Sequence, residues 1–314
     1  MNGPVYLGVD GGGTKTRFAL IDADGQLLAE AQRGTTYHPH VGLEGVRAIL
    51  ADGVADVLAT AKRTPADIAH AFFGLPAYGE DSHATALLQT FPEAILGHRR
   101  YTCDNDMVCG WAGSLACADG INIVAGTGSI GYGQRHGTAA RAGGWGEAFS
   151  DEGSAYWIAI RGLNAYSRMS DGRLPKGPLH GIFNAHFQLD HDLDICAHIY
   201  GEKASPRSDL AQLSRQVADA ACAGDVAALA IFHDAGRELA QICDALRLAL
   251  HFEAGEPVPV SYSGGAFNAG DLLLTPFRDA LGAASSAFEI RLPLHAPDYG
   301  AALYAIRLGQ GGAR

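Results

Sequence analysis

A run of apolar residues near the start of the chain ends at Asp10, and it is followed by glycines at 11, 12 and 13 and then by Thr14-Lys15-Thr16. Because a second alternating apolar run comes next, the pattern predicts a strand, a tight turn and another strand. Glycines supply positive φ and leave no Cβ, so backbone N–H groups in this turn could cradle phosphate oxygens. Asp10 offers the oxygen ligand that a hydrated Mg²⁺ prefers. The alternative is a plain hairpin with an incidental acid.

This turn differs from the common phosphate-binding loop of the Walker type. That motif needs a glycine directly before its lysine and a helix after it, whereas Thr14 precedes Lys15 and residues 17–21 have a strand-like pattern. The sequence therefore predicts that a hairpin, and not a helix N-terminus, holds the phosphates.

Residues 119–133 repeat the opening design, with an apolar strand, a Gly126-Thr127-Gly128 turn and a second strand. The stretch also fits the Gly-x-Gly-x-x-Gly pattern of dinucleotide sites, but that pattern needs a helix after the glycines, and Ile130-Gly-Tyr-Gly133 favours a strand. We therefore predict a second phosphate turn and an internal structural duplication. Two such turns facing each other could hold a polyphosphate from both sides.

Asn105-Asp106 stands where a predicted strand ends and a helix begins. Asn and Asp readily cap helices, which is one interpretation. The other is that Asp106 accepts the proton of an attacking hydroxyl, with the helix dipole favouring its ionised form. The residues alone leave both interpretations open.

Two further segments combine glycines with residues that could bind ligands. Residues 143–157 hold two tryptophans and the acids Asp151 and Glu152, a mixture that suits sugar hydroxyls and the C–H face of a sugar ring. The alternative there is an Asp-Glu cap for a helix starting near Gly153, with Trp157 in the core. Ser263-Gly-Gly-Ala-Phe267 lies between a strand and a helix, where bare backbone could approach a base or ribose, or simply make a tight turn.

The bulk composition excludes several classes of function. The 314 residues carry a net charge of −11 without a Lys/Arg cluster, so binding to nucleic acid or to a membrane surface is not expected. No apolar run reaches the roughly 18 residues of a membrane helix. The six cysteines are scattered without Cys-x-x-Cys spacing, and no secretory signal is visible, so we expect reduced thiols in a cytoplasmic protein.

The predicted elements describe an α/β protein whose second half is mainly helical. We expect helices over 43–62 and 81–91, and a loop over 34–40 because Pro39 cannot continue a ladder or a helix interior. No Pro/Ser-rich linker is visible, so the second glycine hairpin places the domain boundary near 117. The predicted domains are 1–117 and 118–296, with a final helix at 297–314 that could complete the first.

Taken together, these motifs resemble the actin/hexokinase/Hsp70 superfamily, specifically the branch of N-acetylglucosamine and glucosamine kinases and BadF/BadG-type ATPases. The resemblance covers nearly the whole chain. The motifs that carry it are Asp10-Gly-Gly-Gly-Thr-Lys-Thr16, Asn105-Asp106, Ala125-Gly-Thr-Gly-Ser129, Gly143-Gly-Trp-Gly146, Asp151-Glu-Gly-Ser-Ala-Tyr-Trp157 and Ser263-Gly-Gly-Ala266.

The resemblance implies two ribonuclease-H-like domains around a central cleft that holds ATP, Mg²⁺ and an amino sugar. It implies that a homodimer transfers the γ-phosphate of ATP to the 6-hydroxyl of N-acetylglucosamine or glucosamine, with Asp106 as the base and Asp10 serving Mg²⁺ through water. The implied nucleotide-binding residues are Gly12, Gly13, Thr14, Lys15, Gly126, Thr127, Gly128, Ser129, Gly264 and Gly265. The implied sugar-binding residues are Asn105, Asp106, Gly144, Trp145, Asp151 and Ala155.

Two loops depart from the family pattern. The loop after the third strand reads Thr36-Tyr-His38 where relatives that take N-acetylglucosamine tend to carry an Asn, and Gly74-Leu-Pro-Ala77 replaces a Ser-Gly-Gly form. The resemblance therefore leaves open whether an N-acyl group is preferred.

Two other functions share this ATPase core. An activator of an Fe–S reductase or dehydratase would hold a cluster between two subunits through cysteines, for which Cys103, Cys109 and Cys117 are the only clustered candidates. A non-catalytic sugar sensor ranks last, since no helix-turn-helix precedes the hairpin and the chain is acidic.

Overall fold

The chain divides into two compact units in the computed structural model, which describes residues 3–201 and 206–311. The first unit comprises Met1–Asp119 and Leu292–Arg314, and the second comprises Gly120–Arg291. Residues 292–296, which the sequence analysis assigned to the second domain, belong to the first unit. The reason is backbone pairing: the N–H groups of Leu294 and His295 donate to the carbonyls of Ser114 and Gly113 at 3.1 and 3.0 Å.

The described elements alternate between strands and helices in the first unit and are mainly helical in the second. The strands are β1 Val5–Gly11, β2 Lys15–Asp22, β3 Leu27–Gly34, β4 Ile68–Leu75, β5 Tyr101–Asn105, β6 Gly120–Ala125, β7 Ser129–Arg135, β8 Thr138–Gly143, β9 Val258–Ser263 and β10 Phe288–Arg291. The helices are α1 His38–Ala61, α2 Ser82–Leu88, α3 Phe91–Leu96, α4 Met107–Leu115, α5 Ala155–Ser170, α6 Pro178–Phe187, α7 Ile195–Tyr200, α8 Arg207–Gln212, α9 Ser214–Cys222, α10 Val226–Ala249, α11 Asp271–Ala284 and α12 Pro297–Gly311. Short 3₁₀ turns lie at Pro65–Asp67, Asp192–Asp194 and Gly265–Ala269.

Each unit contains one five-stranded sheet, and the two sheets have the same topology. The strand orders are β3-β2-β1-β4-β5 and β8-β7-β6-β9-β10. In both, the first three strands form an antiparallel meander, and the last two run parallel to the first strand. This repetition confirms the predicted α/β fold with two similar sheets and the predicted structural duplication. It also brings the ends of β1, β4 and β5 to one edge of the first sheet.

Two helix boundaries differ from the prediction. Helix α1 is interrupted at Gly42, which has a non-helical φ of +69° and ψ of +165°, so its continuous part starts at residue 43 as predicted, and only the short turn before Gly42, with Pro39 in it, differs from the expected loop. The helix expected over 81–91 is two helices, α2 and α3, because Pro92 begins a new helix and cannot continue an existing one.

The core of the first unit depends on close approach between glycine backbones. Helix α12 packs on α4 and on β1. A Cβ at Gly300 would lie 2.0 Å from the backbone N of Gly113, and one at Gly8 would lie 2.2 Å from the N of Ala302. Only glycine lets the backbones of α12, α4 and β1 come this close.

The core of the second unit is built mainly by helices α5, α10 and α11 packing on one another and on the second sheet. Within residues 3–201 and 206–311, every helix is too short or too polar to cross a lipid bilayer.

We predict that Gly300→Ala lowers the free energy of unfolding by about 3 kcal/mol or more, because the added methyl group overlaps the backbone of α4. Urea denaturation followed by circular dichroism measures the change. Gly282→Ala is the matched control, since a Cβ at this exposed position of α11 meets no atom within 4 Å. It should stabilise the protein by about 0.5 to 1 kcal/mol through helix propensity. Equal effects of the two changes would contradict the packing argument.

Candidate active site

The first glycine turn is a hairpin, as the sequence predicted. Strand β1 ends at Gly11 and β2 begins at Lys15, and the N–H of Gly12 donates to the carbonyl of Lys15 at 2.9 Å. Gly13 and Thr14 form the exposed tip. Within the described chain, their backbone N–H groups have no hydrogen-bond partner. The turn therefore presents two unused donors, and the side chain of Lys15 is exposed beside them.

The reason for glycine in this turn is different from the one we predicted. None of the three glycines has the positive φ that the sequence analysis assumed. Instead, a Cβ at Gly11 would lie 2.4 Å from the Oγ1 of Thr36 and 2.8 Å from the carbonyl oxygen of Gly74. Thr36 is buried, and its Oγ1 lies 3.1 Å from the Oγ1 of Thr16. Glycine is needed at position 11 because the side chain of Thr36 and the backbone of Gly74 leave no room for a Cβ.

Two carboxylates lie at the same edge of the first sheet. Asp10 near the end of β1 is paired in register with Gly74 of β4, which is paired with Asp104 of β5, and Asp106 follows this strand directly. Burial and the neighbouring carboxylate of Asp298 raise the pKa of Asp10 to about 7. Burial and the charge of Asp10 raise the pKa of Asp106 to about 7. Both carboxyl groups can therefore gain or lose a proton near neutral pH.

This shift corrects the expectation that the helix dipole keeps Asp106 ionised. Helix α4 has only nine residues, and its N-terminus does not offset the desolvation of the carboxylate and the repulsion from Asp10.

Asn105 and Asp106 have different roles at the start of α4. The Oδ1 of Asn105 accepts a hydrogen bond from the N–H of Met107 at 3.2 Å, and its Nδ2 donates to the carbonyl of Tyr78 at 3.1 Å. Asp106 makes no capping hydrogen bond with its side chain. Asn105, which was expected to bind substrate, thus stabilises the junction between β5 and α4. The carboxylate of Asp106 takes no part in capping α4.

Sequence reasoning missed Asp298 at this edge. It lies in the first turn of α12, is buried, and its Oδ1 has no hydrogen-bond partner among the described residues. It also raises the pKa of Asp10. Nothing in the local pattern could have found it, because an acid in the first turn of a helix is ordinary.

The second glycine turn also joins two antiparallel strands, and it closes over two residues where the first closes over three. The N–H of Gly126 donates to the carbonyl of Gly128 at 2.8 Å, which leaves the N–H groups of Thr127 and Gly128 without a partner in the described structure. The N–H of Ala155, the first residue of α5, donates to the carbonyl of Gly126 at 2.9 Å. Ser129 is buried and its hydroxyl donates to the carbonyl of Glu152 at 2.7 Å. Ser129 therefore supports the turn through its side chain.

Gly264 and Gly265, expected to flank adenosine, differ from each other. Gly264 has a φ of +104°, and a Cβ there would lie 2.4 Å from the carbonyl carbon of Ala125 and 2.7 Å from the N of Gly126. A Cβ at Gly265 would meet nothing within 4 Å. The bare backbone of Gly264 is thus used to approach the second glycine turn, and Gly265 faces open space.

Two of the expected sugar-binding residues of the second unit, Asp151 and Ala155, contact this turn. Asp151 is buried with a φ of +62°, and the ring of Trp145 is 70% exposed. Gly144 has a φ of +69°, and a Cβ there would press on Ile130. The cap of α5 is Ser154, whose hydroxyl oxygen accepts from the N–H of Trp157, and not the Asp-Glu pair that the sequence suggested. Asp151 is therefore not used as a helix cap.

A second residue that the sequence analysis missed is Arg207, at the start of α8. It forms an ion pair with Asp151, and its Nε lies 3.3 Å from the Oε2 of Glu147. No motif or spacing could have predicted the pair, because 56 positions separate the two partners.

The three cysteines considered for an Fe–S cluster give that alternative no support. Cys109 and Cys117 are buried and Cys103 is partly buried. Burial raises the pKa of Cys103 and of Cys117 to about 12, which disfavours the thiolate that binds metals. Among the described residues, no group of three or more His, Cys, Asp or Glu side chains could hold a metal ion directly.

Residues 7–305 match the BadF/BadG/BcrA/BcrD ATPase family. The chain belongs to this family. The match spans both glycine turns, Asp106 and Asp151, and it confirms the family that the motifs predicted.

Among curated relatives, the chain is 29% identical over 274 residues to the N-acetyl-D-glucosamine kinase of Dictyostelium discoideum, covering 84% of this chain and 86% of that protein. It is 28% identical over 276 residues to the N-acetylmuramic acid/N-acetylglucosamine kinase of Clostridium acetobutylicum, covering 88% and 89%. Among solved structures, a Chromobacterium violaceum protein crystallised as a proposed N-acetylglucosamine kinase is 26% identical. It superposes with a TM-score of 0.74 over 97% of this chain and 99% of that one.

We predict that Asp106→Asn changes the pH dependence of stability. The folded-state pKa of about 7 lies above the ordinary value of 3.8, so the folded protein binds more protons than the unfolded chain between these values. The contribution of Asp106 to stability is therefore fully present below pH 4 and is lost as the pH rises through 7. Asp106→Asn should match the unmodified protein at pH 4 and exceed its free energy of unfolding by about 2 to 4 kcal/mol at pH 8.

Urea denaturation at the two pH values measures this difference. Asp24→Asn, the same change at an exposed turn, is the control and should behave alike at both pH values. A variant at position 106 that is no more stable than the unmodified protein at pH 8 would show that burial of this carboxylate has no cost.

We also predict unequal effects on stability at two neighbouring glycines. Gly264→Ala should lower the free energy of unfolding by about 3 kcal/mol or more, because the methyl group overlaps the backbone of Ala125 at a strained φ. Gly265→Ala should change stability by less than about 0.5 kcal/mol. If adenosine approaches Gly265, the same change weakens ATP binding about tenfold, or 1.4 kcal/mol. Thermal unfolding and calorimetric ATP titration measure both effects, and unchanged ATP affinity in Gly265→Ala would place adenosine elsewhere.

Proposed function

We propose that this protein is an ATP-dependent amino-sugar kinase, which transfers the γ-phosphoryl group to the 6-hydroxyl of N-acetylglucosamine or glucosamine. The relatives named above act on such sugars, and the chain carries the family's motifs along nearly its whole length. The observation that carries the proposal is the carboxyl group of Asp106. It stands at the end of β5, is not used as a helix cap, and has a pKa raised to about 7.

A group with this pKa suits the proton transfer in the reaction. The sugar hydroxyl oxygen attacks the γ-phosphorus as the bond to the β-phosphate oxygen breaks, and the hydroxyl proton moves to the carboxylate of Asp106. A general base is most effective when its pKa lies near the working pH. Burial and the charge of Asp10 give Asp106 that value, whereas an exposed carboxylate would be too weak a base.

The two glycine turns supply donors for the polyphosphate of ATP. Each turn closes on itself with one backbone hydrogen bond and leaves two N–H groups without a partner within the described residues. Such paired donors suit phosphate oxygens. We infer that Gly13 and Thr14 bind phosphate from the first turn, with Lys15 adding charge, and that Thr127 and Gly128 bind phosphate from the second.

The residues of the first unit also fit Mg²⁺. Asp10, Asp106 and the unpaired Oδ1 of Asp298 bring negative charge together, and the raised pKa values of Asp10 and Asp106 show that nearby Arg17 and Lys15 offset it only in part. Mg²⁺ prefers oxygen ligands, keeps several waters and binds through one or two carboxylates. We infer that Asp10 holds it through water, where it would offset the charge of the phosphates.

The sugar is proposed to lie against Asp151 and Trp145. Asp151 is buried and can accept hydrogen bonds from hydroxyl groups, and the ring of Trp145 is 70% exposed and could cover the C–H face of the sugar. Thr36, in the loop that departs from the family pattern, is buried against the first turn and is not free to bind an N-acetyl group. The choice between N-acetylglucosamine and glucosamine, the homodimer and the cytoplasmic location stay predictions.

We predict that the protein releases ADP from ATP only when an amino sugar is present, and that Asp106→Asn lowers kcat by at least about 10³-fold while ATP affinity changes less than twofold. A coupled ADP-release assay with N-acetylglucosamine, glucosamine and glucose measures turnover. Phosphorus–proton correlation in NMR spectra of the product identifies the phosphorylated hydroxyl.

The matched control is Asp24→Asn, which removes a carboxylate from an exposed turn and should leave kcat unchanged. Turnover retained by the variant at position 106 would exclude Asp106 as the base. An absence of turnover with every amino sugar would reject the kinase itself.

A further inference from the structure

A guanidinium group lies directly on the second glycine turn. A Cβ at Gly128 would lie 2.7 Å from the Nη2 of Arg207 and 2.8 Å from the Oδ2 of Asp151. The ion pair between Arg207 and Asp151 therefore packs on bare backbone, beside the unused N–H groups of Thr127 and Gly128. Any phosphate bound by these N–H groups would meet the guanidinium.

The two members of the ion pair differ in their freedom to move. The side chain of Asp151 is 4% exposed, its backbone has a φ of +62°, and it lies within a packed turn. The side chain of Arg207 is 38% exposed. The carboxylate is thus fixed within the unit, and the long side chain of the arginine is the partner that can turn.

The charges around Arg207 leave it able to accept another anion. Its guanidinium faces the carboxylates of Asp151 and Glu147 and lies 5.9 Å from the centre of the Tyr156 ring. Glu147 is exposed, and its Oε2 lies 3.3 Å from the buried Nε of Arg207, which makes no hydrogen bond with any described residue. A planar guanidinium binds carboxylate and phosphate with the same forked geometry. A polyphosphate on the turn would therefore compete with Asp151 for the same donors.

We propose that Arg207 exchanges partners when nucleotide binds: it pairs with Asp151 in the free protein and turns to a phosphate oxygen of the bound nucleotide. The carboxylate of Asp151 is then released to accept hydrogen bonds from sugar hydroxyls. The exchange rests on the proposed kinase function, since it needs nucleotide at the glycine turn and sugar at Asp151. It makes Arg207 a phosphate-binding residue that couples the two substrates.

The exchange has a measurable consequence, because coupling between two ligands is reciprocal. Isothermal titration calorimetry with N-acetylglucosamine or glucosamine, with and without Mg²⁺ and the non-hydrolysable analogue AMPPNP, measures it. We expect saturating AMPPNP to tighten sugar binding about tenfold in the unmodified protein, within the usual range of such coupling. Sugar should tighten AMPPNP binding by the same factor.

Arg207→Gln should remove the coupling. Sugar should bind the free variant at least as tightly as it binds the unmodified protein, AMPPNP should tighten it less than twofold, and AMPPNP affinity should fall about tenfold. Arg207→Lys, which keeps a charge that binds phosphate, should keep AMPPNP affinity within about threefold. Arg215→Gln, the same change at an exposed position of α9, is the matched control and should change neither affinity.

A purely structural role for Arg207 gives a different result. If Arg207 only holds Asp151 in place, Arg207→Gln weakens sugar binding equally with and without AMPPNP and leaves AMPPNP affinity unchanged, and the exchange is rejected. Asp151→Asn tests the exchange by removing the other member of the ion pair. Loss of the carboxylate should free Arg207 and strengthen AMPPNP binding in the absence of sugar. AMPPNP affinity that is unchanged or weaker in this variant also overturns the proposal.

The same experiments distinguish a failure of the proposed partner exchange from a failure of the proposed kinase function. The unmodified protein would then bind no amino sugar and transfer no phosphate. The AMPPNP affinities of Arg207→Gln and Asp151→Asn would still report whether the guanidinium moves between carboxylate and phosphate.

Discussion

The chemistry of the first unit depends on the repulsion among carboxylates at one edge of its sheet. Parallel pairing of β1, β4 and β5 fixes where Asp10 and Asp106 lie, and α12 adds Asp298. Burial makes their negative charges costly, so the pKa values of Asp10 and Asp106 rise to about 7. The ionised carboxylates at this edge therefore repel one another, and binding of a proton or a cation reduces the repulsion. A raised affinity of a carboxylate for protons or cations is what a general base and a magnesium-binding group require.

The second constraint is the absence of side chains where backbones meet. Gly11, Gly128, Gly264 and Gly300 each occupy a place where a Cβ would lie less than 3 Å from another atom. Close packing of this kind anchors the first turn at Gly11 and the second turn through Gly264, so the bases of both turns are ordered before any ligand arrives. Preorganised donors avoid the ordering cost that a flexible loop would incur on binding.

The two units apply one strand topology to different chemical tasks. In the first unit, the turn after β1 presents unused N–H groups, and the ends of β1 and β5 hold the carboxylates of Asp10 and Asp106. In the second unit, the equivalent turn after β6 presents unused N–H groups beside an ion pair between Arg207 and Asp151. Repetition of the sheet therefore fixes where a glycine turn lies, and the residues that surround the turn decide what it does.

The sequence by itself determined the elements and the family. Both glycine hairpins, the strand before Asp106 and the duplicated fold could be predicted because alternation, glycine content and motif order are local properties of the chain. The tertiary structure decided the charges and the contacts. Asp298 and Arg207 come from distant segments, the reason for Gly11 is packing against Thr36 and not a positive φ, and burial reverses the pKa shift expected for Asp106. Desolvation and close approach depend on every neighbouring segment, and no local pattern records them.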